Sequence, residues 1–169
     1  SAQHRFDRPV AVLGAGTMGH GIAQVFAGAG ASVRLYDVDV ARLERARLMV
    51  RTALDRAAAK GKVAAAEVER TLAAIVPTTD IARAASGVGI VIEAIPEDMA
   101  LKVSVLRQAI AAAPADALLG SNTSSLSITE LGARSGEAAR TVGLHFFNPA
   151  PVMELLEIVR GVGTSDTTI

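Results

Sequence analysis

The sequence has 169 residues, which is enough for one domain with a sizeable buried core. Its 17 basic residues equal its 17 acidic ones, and this balance argues against a nucleic-acid partner. Hydrophobic residues make up 50% of the chain and aromatic ones only 3%, so the core must be aliphatic, and the absence of cysteine excludes disulfides and thiolate chemistry.

The N-terminal residues 1–8 contain no apolar stretch and are therefore not a secretory signal. Charged side chains interrupt every apolar run before it reaches the length of a membrane span, so we expect no membrane partner. We expect a protein of a reducing compartment, namely the cytoplasm, or the mitochondrial matrix if a transit peptide has been removed.

Short apolar runs alternate with helical patterns along the chain. The predicted strands cover residues 9–13, 32–37, 89–94, 117–120, 141–146 and 155–159. The predicted helices cover residues 17–29, 40–60, 65–75 and 99–113. This alternation predicts an α/β fold with one domain over residues 1–169, in which a doubly wound, mainly parallel sheet carries helices on both faces. Residues 161–169 are expected to leave the sheet and to form no further element.

A glycine-rich loop, G-A-G-T-M-G, joins the first predicted strand to the first predicted helix. Gly14 permits the tight turn, Gly16 lets the backbone approach a pyrophosphate, and Gly19 lets the helix pack closely on the strand. Thr17 and Met18 open the helix, whose free N–H groups and positive dipole attract phosphate. The pattern therefore predicts a dinucleotide site, although a plain strand-to-helix turn is the alternative on the glycines alone.

Asp37 ends the second predicted strand, 18 residues after Gly19, where an acidic side chain accepts hydrogen bonds from the adenosine ribose. Its carboxylate would repel a 2′-phosphate, so the cofactor is expected to be NAD rather than NADP. Arg34 and Arg42 lie nearby and weaken that preference slightly. The alternative is that Asp37 only caps the following helix.

Polar side chains follow two later strands, in S-N-T-S-S at residues 121–125 and H-F-F-N-P at residues 145–149. The carboxyl ends of parallel strands form the ligand crevice in such sheets. His145 is suited to take a hydroxyl proton during hydride transfer, and Glu157 is suited to fix its tautomer. Ser124 and Asn148 are suited to hold a substrate oxygen. The alternative is structural: a satisfied histidine, turn residues and a surface carboxylate.

Four segments together resemble the NAD-binding domain of 3-hydroxyacyl-CoA dehydrogenases. They are the glycine loop with its helix at residues 14–24, V-I-E-A-I-P-E at 91–97, S-N-T-S-S at 121–125, and G-L-H-F-F-N-P-A-P-V-M at 143–153. The segments occur in family order over nearly the whole chain. The resemblance implies a Rossmann-type sheet and an oxidoreductase of fatty acid β-oxidation or related acyl-CoA degradation.

The resemblance also implies the reaction, in which an L-3-hydroxyacyl-CoA such as 3-hydroxybutyryl-CoA or 3-hydroxyadipyl-CoA is oxidised to the 3-ketoacyl-CoA with NAD as hydride acceptor. His145 matches the catalytic base and Glu157 the carboxylate paired with it. Ser124 matches the serine beside the nicotinamide and the substrate oxygen, and Asn148 matches the asparagine that positions the substrate. The resemblance implies no metal.

Three further positions are carried over from the family. Glu97 and Lys102 match residues that contact the cofactor. Lys60 matches a lysine that meets coenzyme A. The agreement around Lys60 is weaker, because Ala53 stands where some members carry a serine.

Members of this family continue into a helical C-terminal domain that closes the substrate cleft and makes most of the dimer contact. That domain is absent from this sequence. The resemblance therefore implies the cofactor-binding half of a homodimeric enzyme, with weak or no activity by itself.

Three other functions remain open on the sequence. A related dehydrogenase of free β-hydroxy acids would rely on a lysine in a later helix. A non-catalytic NAD-binding protein would keep the fold without the reaction, and a purely structural domain would bind no NAD. Retention of Ser124, His145, Asn148 and Glu157 together favours the acyl-CoA dehydrogenase.

Overall fold

Seven strands form one sheet in the part of the chain that the structure, a computed structural model, describes, residues 6–169. The strands are β1 (Val10–Leu13), β2 (Val33–Tyr36), β3 (Ile75–Thr78), β4 (Ile90–Glu93), β5 (Leu118–Ser121), β6 (Thr141–Phe146) and β7 (Leu156–Val159). The helices are α1 (Thr17–Gly28), α2 (Val40–Ala59), α3 (Ala65–Ala74), α4 (Ile81–Ala85), α5 (Met99–Ala112) and α6 (Ile128–Ser135). The interpretation of the N-terminal residues falls mostly on residues 1–5, which lie outside the described part.

The sheet order is β3-β2-β1-β4-β5-β6-β7, and every pairing is parallel except that of β6 with β7. The chain runs outward from β1 in one direction, then crosses back to β4 and continues in the other. The loops after β1 and β4 therefore diverge and leave a crevice at the carboxyl edge of the sheet. This topology confirms the predicted doubly wound fold.

Both faces of the sheet are covered, as the uninterrupted apolar strands predicted. Val10 and Val12 pack into a core with α1 and α2, whereas Ala11 and Leu13 pack into a second core with α4 and α5. All four residues of β1 are fully buried. In this described part no helix is both long and apolar enough to cross a membrane.

Four elements differ from the sequence predictions. The helix predicted to end at Ile75 ends at Ala74, and Ile75 instead begins edge strand β3, which contains Pro77. Pro77 interrupts the apolar pattern, and an edge strand tolerates proline because one side of its backbone has no neighbour. The short helices α4 and α6 were not predicted at all.

Residues 161–169 leave the sheet and form no further element, as expected. They contain no helix or strand, but they fold back onto the connection between α6 and β6. The Thr164 hydroxyl donates to the Thr141 carbonyl at 2.7 Å, and the Ser165 amide donates to the Ala139 carbonyl at 2.9 Å. Thr164 is buried, so this segment is part of the packed fold.

Candidate active site

The glycine loop has a separate steric reason for each glycine. Gly14 has φ +103°, and a Cβ there would lie 2.7 Å from the Ala94 carbonyl oxygen. A Cβ on Gly19 would lie 1.7 Å from the Gly14 carbonyl oxygen, so the start of α1 can pack on the turn only without a side chain. A Cβ on Gly16 would meet nothing within 4 Å, because Gly16 borders an open cleft.

The first turn of α1 leaves its backbone donors available. Gly16 is the N-cap and supplies no side-chain hydrogen bond, and no acidic residue lies in the first turn. By contrast, aspartate or serine side chains cap α2, α4, α5 and α6. The first intrahelical bond of this turn runs from the His20 amide to the Gly16 carbonyl, so the amides of Thr17, Met18 and Gly19 lack intrahelical acceptors. This arrangement suits a pyrophosphate.

Asp37 lies at the end of β2, and its carboxylate is held from two sides. Oδ2 accepts the Ala15 amide at 3.0 Å and Oδ1 accepts the Asp39 amide at 2.9 Å. The cap of α2 is Asp39, whose side chain accepts the Ala41 amide, so the alternative that Asp37 is the helix cap was wrong. Asp37 lines the cleft, where each oxygen retains capacity for a further hydrogen bond.

The two arginines near Asp37 have different positions. The Arg34 guanidinium donates to the backbone carbonyls of Arg83 and Ser86, so its charge is engaged at the end of α4. Arg42 lines the cleft and lies 3.6 Å from Asp37 Oδ1. Of the two, Arg42 is therefore the one that borders the predicted ribose site.

The cleft at the carboxyl edge of the sheet has a volume of about 680 Å³. It brings together residues that are distant in sequence. The N-terminal ones were predicted to bind the dinucleotide, and the C-terminal ones were predicted to bind and deprotonate the substrate. The predicted site residues that line the cleft are Gly14, Gly16, Thr17, Met18, Asp37, Glu97, Lys102, Ser124, His145 and Asn148. The glycine loop, the candidate ribose-binding carboxylate and the candidate base thus share one cavity.

His145 and Glu157 face each other across the antiparallel pair of β6 and β7. Their Cα atoms are register partners, and His145 Nδ1 lies 2.9 Å from Glu157 Oε1. Because a carboxylate only accepts hydrogen bonds, this contact assigns the proton of the neutral imidazole to Nδ1 and its free lone pair to Nε2. The imidazole ring also packs against Phe147, with 4.5 Å between ring centroids.

Ser124 and Asn148 are both exposed to the cleft on loops after β5 and β6. Asn122, which sequence reasoning did not single out, joins these two loops. Its side-chain oxygen accepts the Phe146 amide at 2.8 Å, directly next to His145 in the chain.

Three predicted site residues, Gly19, Glu157 and Lys60, do not line this cavity. Gly19 packs against Gly14 and Glu157 contacts His145, whereas within residues 6–169 no such contact joins the cavity to Lys60. It is exposed at the C-cap of α2, and it is not among the cleft residues. Its contact with coenzyme A stays a prediction.

Beneath the cleft lies a charged cluster that the sequence analysis identified only in part. Glu93 and Lys102 are 0% and 1% exposed, and Lys102 Nζ lies 2.9 and 2.8 Å from the two carboxylate oxygens. The ammonium also contacts the Ile95 carbonyl at 3.0 Å and Glu97 Oε1 at 3.1 Å. Its donors are therefore fully engaged within the protein.

Glu97 connects this cluster to the cleft. Burial alone would raise the pKa of the Glu97 carboxyl. Hydrogen bonds from Thr123, Lys102 and Ser125, together with the Lys102 charge, outweigh burial and hold this pKa below its usual value. Glu97 is thus an anion at neutral pH, directly at the cavity wall.

Glu93 and Ser121 are the members of this cluster that sequence reasoning missed. A signal was present, since Glu93 is a charged residue at the end of an otherwise apolar strand, with Lys102 following in the next helix. A buried carboxylate requires a partner, and that requirement points to a lysine or arginine nearby.

Comparison with known proteins identifies relatives of the whole described fold. The family model "3-hydroxyacyl-CoA dehydrogenase, NAD binding domain" matches residues 9–169. A 3-hydroxyadipyl-CoA dehydrogenase of Escherichia coli is 44% identical over 92% of this chain, and a 3-hydroxybutyryl-CoA dehydrogenase of Mycobacterium tuberculosis is 40% identical over 93%. The crystal structure of (S)-3-hydroxybutyryl-CoA dehydrogenase from Ralstonia eutropha superimposes over 95% of this chain with a TM-score of 0.91 and 43% identity.

These relatives are considerably longer than this chain. The chain spans 33% of the E. coli protein, 55% of the M. tuberculosis protein and 56% of the R. eutropha structure. The matches therefore concern the cofactor-binding part, and the remainder of each relative has no counterpart in the residues available.

Proposed function

The chain belongs to the 3-hydroxyacyl-CoA dehydrogenase family, as its NAD-binding domain, and we propose on this premise that the whole protein oxidises the 3-hydroxyl of an L-3-hydroxyacyl-CoA to the 3-keto thioester. One observation carries the proposal. The His145 ring, oriented by Glu157, lines the same cleft as the glycine loop and Asp37. A proton acceptor and a dinucleotide site in one cavity are the two components that alcohol oxidation by NAD requires.

The cofactor site fits NAD on its own geometry. The uncapped first turn of α1 and the open position at Gly16 would hold the pyrophosphate, and Asp37 would accept the ribose hydroxyls. When bound, NAD supplies the acceptor for the hydride that leaves carbon 3 of the substrate.

His145 would act as the general base. Its Nδ1–H donates to Glu157, so Nε2 has the lone pair that takes the proton of the 3-hydroxyl. Glu157 stabilises the imidazolium that results, and it keeps the ring from rotating. The ring stack with Phe147 restrains it further.

Ser124 and Asn148 would position the substrate oxygen. Both side chains are exposed on loops that border the cleft beside His145, and neither is taken up by a hydrogen bond within the described residues. A hydroxyl and an amide can each donate to the oxygen whose negative charge grows as the proton leaves. We propose that Lys60 contacts the coenzyme A portion outside the cleft.

We also propose a second domain that covers β7 and forms the homodimer contact. β7 and its flanking residues expose an apolar surface formed by Val152, Met153, Leu155, Leu156, Ile158, Val159 and Val162. Such a concentration of exposed apolar residues on one edge strand and its flanks is typical of a buried interface. Because the second domain would not cover β7, residues 1–169 alone would bind NADH but would turn over the acyl-CoA substrate slowly.

The test is NADH-dependent reduction of acetoacetyl-CoA by the protein as the cell makes it, compared with the His145→Gln variant. Loss of the base should lower kcat by about a hundred- to ten-thousandfold, while the Kd for NADH changes little. A wild-type protein that oxidises no NADH with this thioester contradicts the proposed reaction. A variant with wild-type kcat contradicts the role of His145.

Free 3-hydroxybutyrate as substrate tests the β-hydroxy acid alternative in the same assay. Calorimetric titration with NADH tests the purely structural domain, which would release no binding heat. Strong NADH binding without turnover of either substrate would favour the non-catalytic NAD-binding protein.

A further inference from the structure

The Glu93–Lys102 pair is buried far beyond what ionic side chains normally tolerate. The exposed fractions are 0% for Glu93 and 1% for Lys102, and their charged atoms are 2.8 to 2.9 Å apart. The cost of removing two charges from water commonly offsets the attraction within a buried ion pair, and well-packed apolar residues often stabilise a fold equally well. Stability alone therefore does not account for this pair.

The Glu93 carboxylate holds together the ends of two neighbouring strands. Its Oε2 accepts the Ile95 amide at 3.1 Å, and its Oε1 accepts the Ser121 hydroxyl. The Ser121 oxygen in turn accepts the Thr123 amide at 3.2 Å. One buried side chain thus determines where the backbone leaves β4 and where it leaves β5.

A second set of contacts runs from Lys102 to the cleft. The ammonium lies 3.1 Å from Glu97 Oε1, and Glu97 Oε2 accepts the hydroxyls of Thr123 at 2.8 Å and Ser125 at 3.0 Å. Ser124 lies between these two hydroxyl donors. Its position is therefore restrained from both sides by one carboxylate.

We propose that Glu93 is a positioning residue for the reaction. Through Lys102 and Ser121 it fixes Glu97 and the loop of residues 121–126, and so it sets the place of Ser124 in the cleft. This inference rests on the proposed function for its effect on turnover. Its effect on the loop does not depend on that function.

The test uses the whole protein with the variants Glu93→Gln, Lys102→Met and the double variant. The double variant removes both charges at similar volume and leaves no unpaired buried ion, so it should fold with an unfolding midpoint near that of the wild type. A displaced Ser124 should lower kcat with acetoacetyl-CoA by about ten- to a hundredfold, because small misplacements are costly in the transition state.

A second readout is independent of activity. Amide hydrogen exchange of residues 122–126 should become faster in the double variant, since the Thr123 and Leu126 amides lose their ordered acceptors. The control is Glu130→Gln, which removes an exposed partner of Arg134 on α6 and should change neither kcat nor this exchange. A purely structural role would lower the unfolding midpoint and leave kcat unchanged.

Thr123→Val keeps the test decisive if the charge variants fail to fold. It removes the hydroxyl that Glu97 accepts and buries no charge, and it should lower kcat and increase exchange in the same direction by a smaller factor. Wild-type kcat together with wild-type exchange in the double variant or in Thr123→Val overturns the inference. A wild-type protein without thioester activity overturns the proposed function instead, and the exchange measurement then decides the inference alone.

Discussion

The glycine loop lies at the centre of the sheet, whereas the His145–Glu157 pair lies on its last two strands. Every residue of β1 is fully buried, and every residue of β7 is exposed. The two carboxylates differ in the same way, since the Asp37 side chain is 7% exposed and the Glu157 side chain is 57% exposed. The proposed ribose-binding carboxylate is thus packed within this chain, whereas the carboxylate that pairs with His145 is carried on an uncovered edge strand.

The difference shows that residues 6–169 supply all the packing around the cofactor site but only part of the packing around the His145–Glu157 pair. The cofactor cradle has both of its packing layers and both hydrogen bonds to Asp37 from within the chain. Strand register places Glu157 beside His145, the proposed base, but β7 has no packing on its outer side within residues 6–169. Changes in the first region should therefore affect binding, and changes in the second should affect turnover.

The largest effect in this comparison is expected from Gly19→Ala, which breaks the cofactor region alone. The added Cβ would lie 1.7 Å from the Gly14 carbonyl oxygen, so either the turn or the start of α1 must move. Overpacking of this kind costs about 1–3 kcal/mol, and if the cost falls on the bound state, NADH affinity should fall by roughly five- to a hundredfold. Fluorescence titration of the variant and the wild type with NADH measures this loss of affinity.

Gly28→Ala is the matched control, because Gly28 is in the same helix and a Cβ there meets nothing within 4 Å. It should leave NADH affinity unchanged. Equal affinity of the two variants would show that the close approach at Gly19 is not needed for binding.

Much of this region could be predicted from sequence because its constraints are local. A buried parallel strand is a run of apolar residues, and a tight turn under a phosphate requires glycine at set positions. The missed elements have weaker local signals. Strand β3 is interrupted by Pro77, and α4 has only five residues.

Helix α6 was missed although a signal was present. Ser127 and Glu130 have the spacing of a capping box, and the Ser127 side chain accepts the Glu130 amide at 3.1 Å. The Glu93–Ser121 contact had no such signal, because strands that pair in space are separated by a whole helix in sequence. The pairing of His145 with Glu157 was predicted only because the two residue types suit each other chemically. The antiparallel register explains why they meet, since it places them directly opposite each other.

Glu157→Gln tests the second region. The amide keeps the size of the side chain and loses the charge that stabilises the imidazolium, so kcat should fall by roughly ten- to a hundredfold while NADH affinity stays the same. Because the Glu157 side chain is 57% exposed, water compensates part of the loss, and the effect should be smaller than that of His145→Gln. Steady-state kinetics with acetoacetyl-CoA measures it.

Glu154→Gln serves as the control for Glu157→Gln, since it removes one negative charge from an exposed position on the preceding loop. It should leave kcat unchanged. If both variants lose the same factor in kcat, the loss is due to the removed negative charge in general and not to the specific pairing of Glu157 with His145.

Asp37→Ser addresses cofactor choice within the first region. NAD loses the acceptor for its ribose hydroxyls, and Arg42, 3.6 Å from the former carboxylate, becomes available to a 2′-phosphate. The ratio of NADPH to NADH affinity should rise by roughly tenfold or more. The double variant Asp37→Ser with Arg42→Ala should lose NADH affinity without that gain. A wild-type protein that already prefers NADPH contradicts the role of Asp37.

The smallest expected effect concerns the pH dependence of stability at Glu97, where the two regions meet. Burial raises the pKa of this carboxyl, but its hydrogen bonds and the Lys102 charge lower it further, so the folded pKa lies below the unfolded one. Such a carboxyl stabilises the fold fully above the unfolded pKa of about 4.3. This contribution is lost as the pH falls through the folded value.

The difference in unfolding free energy between the wild type and Glu97→Gln should therefore be positive at neutral pH and shrink in acid, as urea titrations at a series of pH values would measure. Glu67→Gln is the comparison, because Arg70 lowers the pKa of Glu67 at the protein surface. At about 1 M salt the Glu67 effect should vanish, since exposed pairs are screened, and that of Glu97 should persist. If salt removes both effects equally, Glu97 is solvated like any surface carboxylate, and its hydrogen bonds to Thr123 and Ser125 do not order the loop that carries Ser124.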